Sequence, residues 1–221
     1  MKEVRLASGR TLHAPNEAIG SVYFPIHSIV SVVTEMADGK IFEIGIVGRE
    51  GTTGLGVALG QSRADHRFIV QVPDSARVLS AQRFRAAVNA QPDLNAQVMR
   101  YAQATIFSIA QFGACSQMHS VNERCARWLL MAHDRVDGDK IGLTQEFLSH
   151  MLGVRRAGVT VAASSLQDAG SISYSRGHIS VLDRQRLESA SCECYDIVQR
   201  EWKKIMHYSV SKSPRRGRAN V

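Results

Sequence analysis

The side chains with the greatest chemical reach lie between Leu143 and Asp183, in LTQEFLSHMLGVRRAGVTVAASSLQDAGSISYSRGHISVLD. Arg155 and Arg156 open an amphipathic segment and Thr160 follows one helical turn later, so on a helix they share an outward face. A guanidinium there can pair with a phosphate, or make two parallel hydrogen bonds to O6 and N7 of guanine. Thr144 and Gln145, at the head of the preceding apolar segment, are of types that bond phosphate oxygens. Arg176 and His178 stand near the tip of a short strand–turn–strand. This equipment binds a polyanion; it does not make or break bonds. No G-x-S-x-G elbow and no H-E-x-x-H pair occurs, so no enzyme is expected.

The cysteines are Cys115, Cys125, Cys192 and Cys194, with no C-x-x-C spacing. Cys192 and Cys194 could bind a metal, but two ligands cannot close a zinc site. With no third ligand evident they read as small helix residues, and neither metal nor cofactor is expected. His119, His133 and His150 read as packing or surface residues.

These side chains need elements to hold them. Thr144 can cap a helix from Gln145 to Leu152, whose apolar face is Phe147, Leu148, Met151 and Leu152. Gly153 suits a tight turn because it tolerates left-handed geometry. A second helix runs from about Arg155 to Ala169 with Val159, Ala162, Ala163 and Leu166 inward. Ser149, four residues before the glycine, is small enough to let the helices cross closely. Ile172–Tyr174 and His178–Leu182 form a hairpin. Together these make a helix-turn-helix followed by a wing.

Upstream, the first 80 or so residues read as short strands and glycine-rich turns. Ile29, Val30, Val32 and Val33 form a β-branched run, Asp38-Gly39 is a turn, and Phe42, Ile44 and Ile46 alternate with a period of two. Such spacing implies a sandwich, barrel or jelly roll. Ala81 to Ala90 reads as a short helix ended by Pro92. From Asp93 to about Gln117, Leu94, Val98, Tyr101, Thr105, Ile109 and Phe112 recur at three- and four-residue steps, the stripe of a long helix. At roughly 37 Å it is too long to bury against one small domain, so the stripe is expected to be a dimer interface. A further helix is expected from Asn122, as N-cap, to Val136. The tail from Ser211 to Arg218 is basic and rich in turn-formers, and reads as disordered.

The chain has 221 residues and a net charge of +7. Residues 1–118 carry net +2 and residues 119–221 net +5, so the excess lies in the C-terminal half. This balance favours polyanionic partners. No apolar run approaches 18 residues, which excludes a membrane-spanning helix, and Met1-Lys2-Glu3-Val4-Arg5 does not begin a signal peptide. A cytoplasmic protein with reduced thiols is expected.

The sequence closely resembles the Crp/Fnr family of bacterial transcription regulators. The resemblance runs through GREGTTGLGVALGQ, Gln91-Pro92-Asp93-Leu94, the long helix and the terminal winged helix. It implies an α+β protein: an N-terminal β jelly roll like a cyclic-nucleotide-binding domain (1–92), a dimerisation helix (93–120), a winged helix-turn-helix (121–190), and a C-terminal helix with basic tail (191–221). The partners implied are palindromic duplex DNA and a second copy of the chain, with room for RNA polymerase. Arg156 falls on the family's base-reading arginine, and Thr144 and Gln145 on positions that touch phosphates. The family's neighbouring glutamate is Ala157 here, and its second arginine is Val161; Arg155 is a candidate substitute.

In members that bind cyclic AMP, a glycine-rich turn presents a glutamate to the ribose and an Arg-Ser pair holds the phosphate. Here those positions fall on Thr53, Ala64 and Asp65. A carboxylate facing a phosphate at ~4 Å is repulsive by about 1–4 kcal/mol. Arg63 and Arg67 lie near, and a slip of one residue could restore a cation. The expectation is an effector other than cyclic AMP, of unknown identity. An Fnr-type iron–sulfur sensor is excluded because no cysteine precedes Cys115. The other reading is a ligand-binding module whose winged helix serves protein contacts.

Overall fold

The computed structural model describes residues 1–175 and 177–207. Arg176 and the basic tail lie outside them. The N-terminal part is a pair of antiparallel sheets. One takes the order β1 (Lys2–Leu6), β7 (Asp74–Ser80), β3 (Ser21–Pro25). The other takes β2 (Thr11–His13), β6 (Arg67–Val72), β4 (Ile29–Glu35), β5 (Ile41–Val47). This double-sheet packing is the jelly roll expected. The β-branched run fills β4, whose Ile29, Val30 and Val33 are fully buried. The β4–β5 turn forms as its residues dictate: Gly39 takes φ +79°, and the Lys40 N–H donates to Asp38 Oδ1 at 3.1 Å. No residue of β5 before Val47 is fully buried or fully exposed. One of its faces lines a cavity and the other meets the helix-turn-helix.

A short α1 (Leu55–Ala58) and α2 (Ala81–Ala90) close the roll. Pro92 does more than end α2. It occupies the first turn of α3 (Pro92–Met118), where the missing N–H costs nothing and the fixed φ suits a helix. Next comes α4 (Val121–His133), and here the expected N-cap is corrected. Asn122 lies inside the helix; Ser120 caps it. The Ser120 hydroxyl accepts from Glu123 N while the Glu123 carboxylate accepts from Ser120 N at 2.8 Å, a reciprocal capping box. The helix ends at His133 rather than Val136. Every residue from Arg124 to His133 is buried, because the helix-turn-helix and C-terminal helix pack on α4 and Trp128 joins the core shared with the roll.

The remainder is β8 (Lys140–Gly142), α5 (Gln145–Leu152), α6 (Arg156–Asp168), β9 (Ile172–Ser175), β10 (His178–Val181), α7 (Arg184–Ser189) and α8 (Cys194–Met206). The wing sheet has the order β8-β10-β9. One continuous apolar core joins Ile29, Val33 and Val72 of the roll to Trp128, Leu148, Leu152 and Ile179 of the C-terminal half. α8 runs back along α3: Trp202 packs edge-on to Tyr101 with centroids 5.9 Å apart, and its Nε1 donates to Ser108 Oγ at 2.8 Å. Asp134, fully buried, accepts from Tyr195 and Gln199 of α8 at 2.8 and 2.9 Å and pairs with Arg184 at 2.9 Å.

Candidate nucleic-acid interface and effector cavity

The Thr144 hydroxyl accepts from Phe147 N at 3.2 Å and caps α5. Gly153 follows at φ +63°, ψ 35°, the left-handed turn that an L side chain resists. The Phe42 ring covers this glycine so closely that a Cβ there would come within 2.7 Å of it. Arg155 then serves as N-cap residue with extended backbone, and α6 starts at Arg156. Leu148, Leu152, Val159, Ala162 and Leu166 bury the seam between the helices. Arg155, Arg156, Ala157, Thr160 and Val161 remain on the open face, Val161 at 70% exposure.

The structure brings most of the expected contact residues together. The Thr160 hydroxyl lies 3.3 Å from Gln145 Oε1 and 3.1 Å from the Arg156 carbonyl, so the starts of α5 and α6 share one surface. Leu143 N donates to Gly177 O at 2.8 Å, which sets the wing turn beside Thr144 and leaves His178 exposed. Arg176 is outside the described residues. The β4–β5 turn approaches this surface: Asp38, Lys40 and Phe42 line an open groove together with His150, Arg155 and Arg156.

A cavity of about 230 Å³ sits between the roll and α3. Its walls are mainly apolar, with Ile19, Ile44, Leu55 and Phe68 from the roll and Tyr101, Thr105 and Ile109 from the helix. Thr53 lines it, but its hydroxyl is already engaged, 2.9 Å from His13 Nε2 and accepting from Tyr23 N at 3.1 Å. Burial lowers the His13 pKa to about 4 and keeps the ring neutral. Asp65 and His66 line the cavity; among the described residues no lysine or arginine does. Arg67 pairs instead with Glu35 at 3.0 Å, and Arg63 bonds the Asn16 carbonyl.

The expected dimer stripe is only partly open. Val98 and Tyr101 belong to the subunit's own core, 6% and 7% exposed. Thr105 and Ile109 line the cavity, and Phe112 lies under the Arg127 guanidinium at 4.2 Å. Leu94 is half-buried against the α2 core. The roll and α8 cover most of the stripe, but Ile109 stays 40% exposed. Beside Ile109, the open face of α3 carries Met99, Gln103, Ile106, Ala110 and Gly113, at alternating four- and three-residue steps. Ile106, at 66%, is the most exposed isoleucine among the described residues. That second stripe was present in the sequence, but its glutamine and small residues gave it little apolar weight.

Residues 123–190 match the family model described as the Crp-like helix-turn-helix domain. The whole structure superposes on a CRP-family transcriptional regulator from Thermus thermophilus with a TM-score of 0.70 and 16% identity, covering 96% of this chain and 100% of that one. The chain has the fold of a Crp/Fnr-type transcription regulator. FixK2 from Bradyrhizobium japonicum is similar at TM-score 0.65 and 18% identity, over 86% of this chain and 97% of that one. The c-di-GMP-responsive global regulator CLP of Xanthomonas campestris is similar at TM-score 0.59 and 15% identity, over 81% and 93%. No curated protein matches the sequence. Both α5 and α6 fall within the residues that match the helix-turn-helix model. No helix among the described residues is long and apolar enough to cross a membrane.

Cys192 and Cys194 also need correction as a ligand pair without a third. Cys115 and His119, on and just after the last turn of α3, lie beside them.

Proposed function

We propose that the chain is a bacterial transcription regulator of the Crp/Fnr type that binds two-fold-symmetric duplex DNA as a homodimer. The observation that carries this reading is the single open surface shared by Gln145, Arg155, Arg156 and Thr160, with the wing turn beside Thr144. Arg156 starts the recognition helix and reads a guanine edge; Thr144 and Gln145 hold the sugar-phosphate backbone; Arg155 takes the contact that Val161 cannot make. His178 adds a wing contact. The two copies meet through the Met99–Gly113 face of α3, and the excess of positive charge steers the pair to DNA.

The effector enters the cavity against Tyr101, Thr105 and Ile109, and so acts on the helix that joins the subunits. An apolar wall with no lysine or arginine among the described residues favours an uncharged, largely apolar ligand over a cyclic nucleotide phosphate. Selection of bound sites from random duplex DNA tests the reading. The expected product is an inverted repeat with half-sites about one helical turn apart, and affinity that falls steeply with salt. Absence of any enriched site, with no salt-sensitive duplex binding, would instead leave the winged helix to protein contacts.

A further inference from the structure

We propose that Cys115, His119, Cys192 and Cys194 form a mononuclear zinc site that ties the end of the long helix to the start of the C-terminal helix. The four side chains each present one donor atom, and these atoms all lie within 4.8 Å of one another. The Cys115 and Cys192 sulfurs are 3.5 Å apart, and Cys194 Sγ is 3.7 Å from His119 Nδ1. Zinc–thiolate bonds of about 2.3 Å in tetrahedral geometry put neighbouring sulfurs about 3.8 Å apart, so the ligands need little movement to close on an ion. An iron–sulfur cluster, which spreads its thiolates over several irons, needs a wider cage.

The local sequence explains the convergence. Cys115 and His119 are four residues apart at the end of α3 and face the same way. Cys192-Glu-Cys194 turns the chain into α8, and the two cysteines of that turn bracket the pair on α3. The three thiols are almost entirely buried, at 1%, 4% and 1% exposure, while His119 keeps 15% of its side chain open and offers an entry path.

The surroundings are those of a ligand set rather than of three packed thiols. His119 Nε2 meets the Glu193 carboxylate at 3.0 Å, which fixes the proton on that nitrogen and turns the Nδ1 lone pair inward. This is the carboxylate–histidine arrangement that orients imidazoles on zinc. Gln111 Nε2 donates to Cys194 Sγ at 3.1 Å, a bond that favours thiolate. Arg127 is near enough to act electrostatically on Cys115 and offsets the single negative charge of a Cys₃His zinc centre. On binding, each thiol gives its proton to solvent, so affinity rises with pH.

Elemental analysis of the full-length protein, purified without chelator, tests the site. One zinc per chain is expected. After chelation, cobalt(II) alone should restore the site with intense tetrahedral bands and thiolate-to-cobalt charge transfer. Zinc should raise the midpoint of thermal unfolding. Glu193→Gln, which leaves all four ligands in place, should weaken zinc binding about 10–100-fold. Cys192→Ser should abolish the charge-transfer pattern of three thiolates, whereas Cys125→Ala, outside the cluster, should leave zinc content unchanged. Zinc-free protein that is folded by circular dichroism and gives no tetrahedral cobalt spectrum would overturn the proposal. So would a Cys115–Cys192 disulfide in protein purified under reducing conditions, or full zinc retention by Cys192→Ser.

Discussion

The Trp128 indole donates a hydrogen bond of 2.8 Å to Glu43 Oε1 across the boundary between the jelly roll and the DNA-binding half. Burial pushes the Glu43 pKa from 4.5 up to about 7, against the opposing pull of its hydrogen bonds to Ser31 and Trp128 and of the Arg127 and Arg135 charges. Folded Glu43 therefore holds its proton where the unfolded chain has already lost it. Its contribution to stability is full below about pH 4.5 and is lost as the pH rises toward 7. Glu43→Gln keeps the acceptor for Trp128 and removes the titration. The variant should match the parent at pH 4 and exceed it at pH 8, by up to about 3 kcal/mol. Urea unfolding at both pH values measures this. His13, with its pKa lowered to about 4, acts in the opposite sense but is common to both proteins. An equal difference at the two pH values would refute the assignment.

In the proposed homodimer, Ile106→Glu should give monomer. Burying that carboxylate unpaired on both helices should weaken association more than about 100-fold, which is about 2.7 kcal/mol. Tyr101→Phe should leave the dimer intact, because Tyr101 lies in the subunit's own core. Sedimentation velocity on the two variants distinguishes the open face of α3 from the covered one.

Arg156→Ala should cost about 1–3 kcal/mol per half-site and relax specificity at one position of each. Gln145 is neutral and sits by the backbone, so Gln145→Ala should weaken all sequences alike and leave the salt slope nearly unchanged. Binding to an operator substituted at each position separates the two. Uniform loss for Arg156→Ala would make it a phosphate anchor, with Arg155 or Thr160 as the next candidate reader.

Cyclic AMP should show no micromolar binding by calorimetry. Thr53 is spent on His13 and Tyr23, and Asp65 puts a carboxylate on the cavity wall. Heat of binding that disappears in Arg63→Ala or Arg67→Ala would show that one of these turns inward to take the phosphate.

Gly153→Ala should destabilise the protein for two separable reasons. The left-handed backbone costs about 1–2 kcal/mol, and the new methyl meets the Phe42 ring. In the Phe42→Ala background the second cost should disappear and only the first remain. A thermal-melt cycle over the four proteins reads the coupling; strict additivity would mean that the helix-turn-helix does not rest on β5 in solution.

Most of the helix-turn-helix was legible because its requirements are local. A cap at Thr144, a left-handed turn at Gly153 and a basic helix start each depend on residues within a few positions. Ser120 was missed although its S-x-x-E signature is equally local; Asn122 is also a good cap, and one sequence offers both. The faces of α3 were not legible. Val98 and Tyr101 form a stripe whichever surface covers them, and what covers them includes Trp202, far along the chain. The cysteine–histidine cluster was hidden for the same reason. The separations that matter are 77 residues between Cys115 and Cys192 and 75 between His119 and Cys194, and no spacing rule spans them.

The packing of α8 on α3 also sets an order of events during synthesis. Ser108 leaves the ribosome 94 residues ahead of Trp202, which covers it, and Tyr101 and Ala104 wait for the same helix. Until then the long helix shows an apolar stripe on each of two faces, and either could recruit a neighbouring chain. Docking of α8 covers one of them and leaves the Ile106 face open. A chain cut before α8 would keep Tyr101 and Ala104 bare.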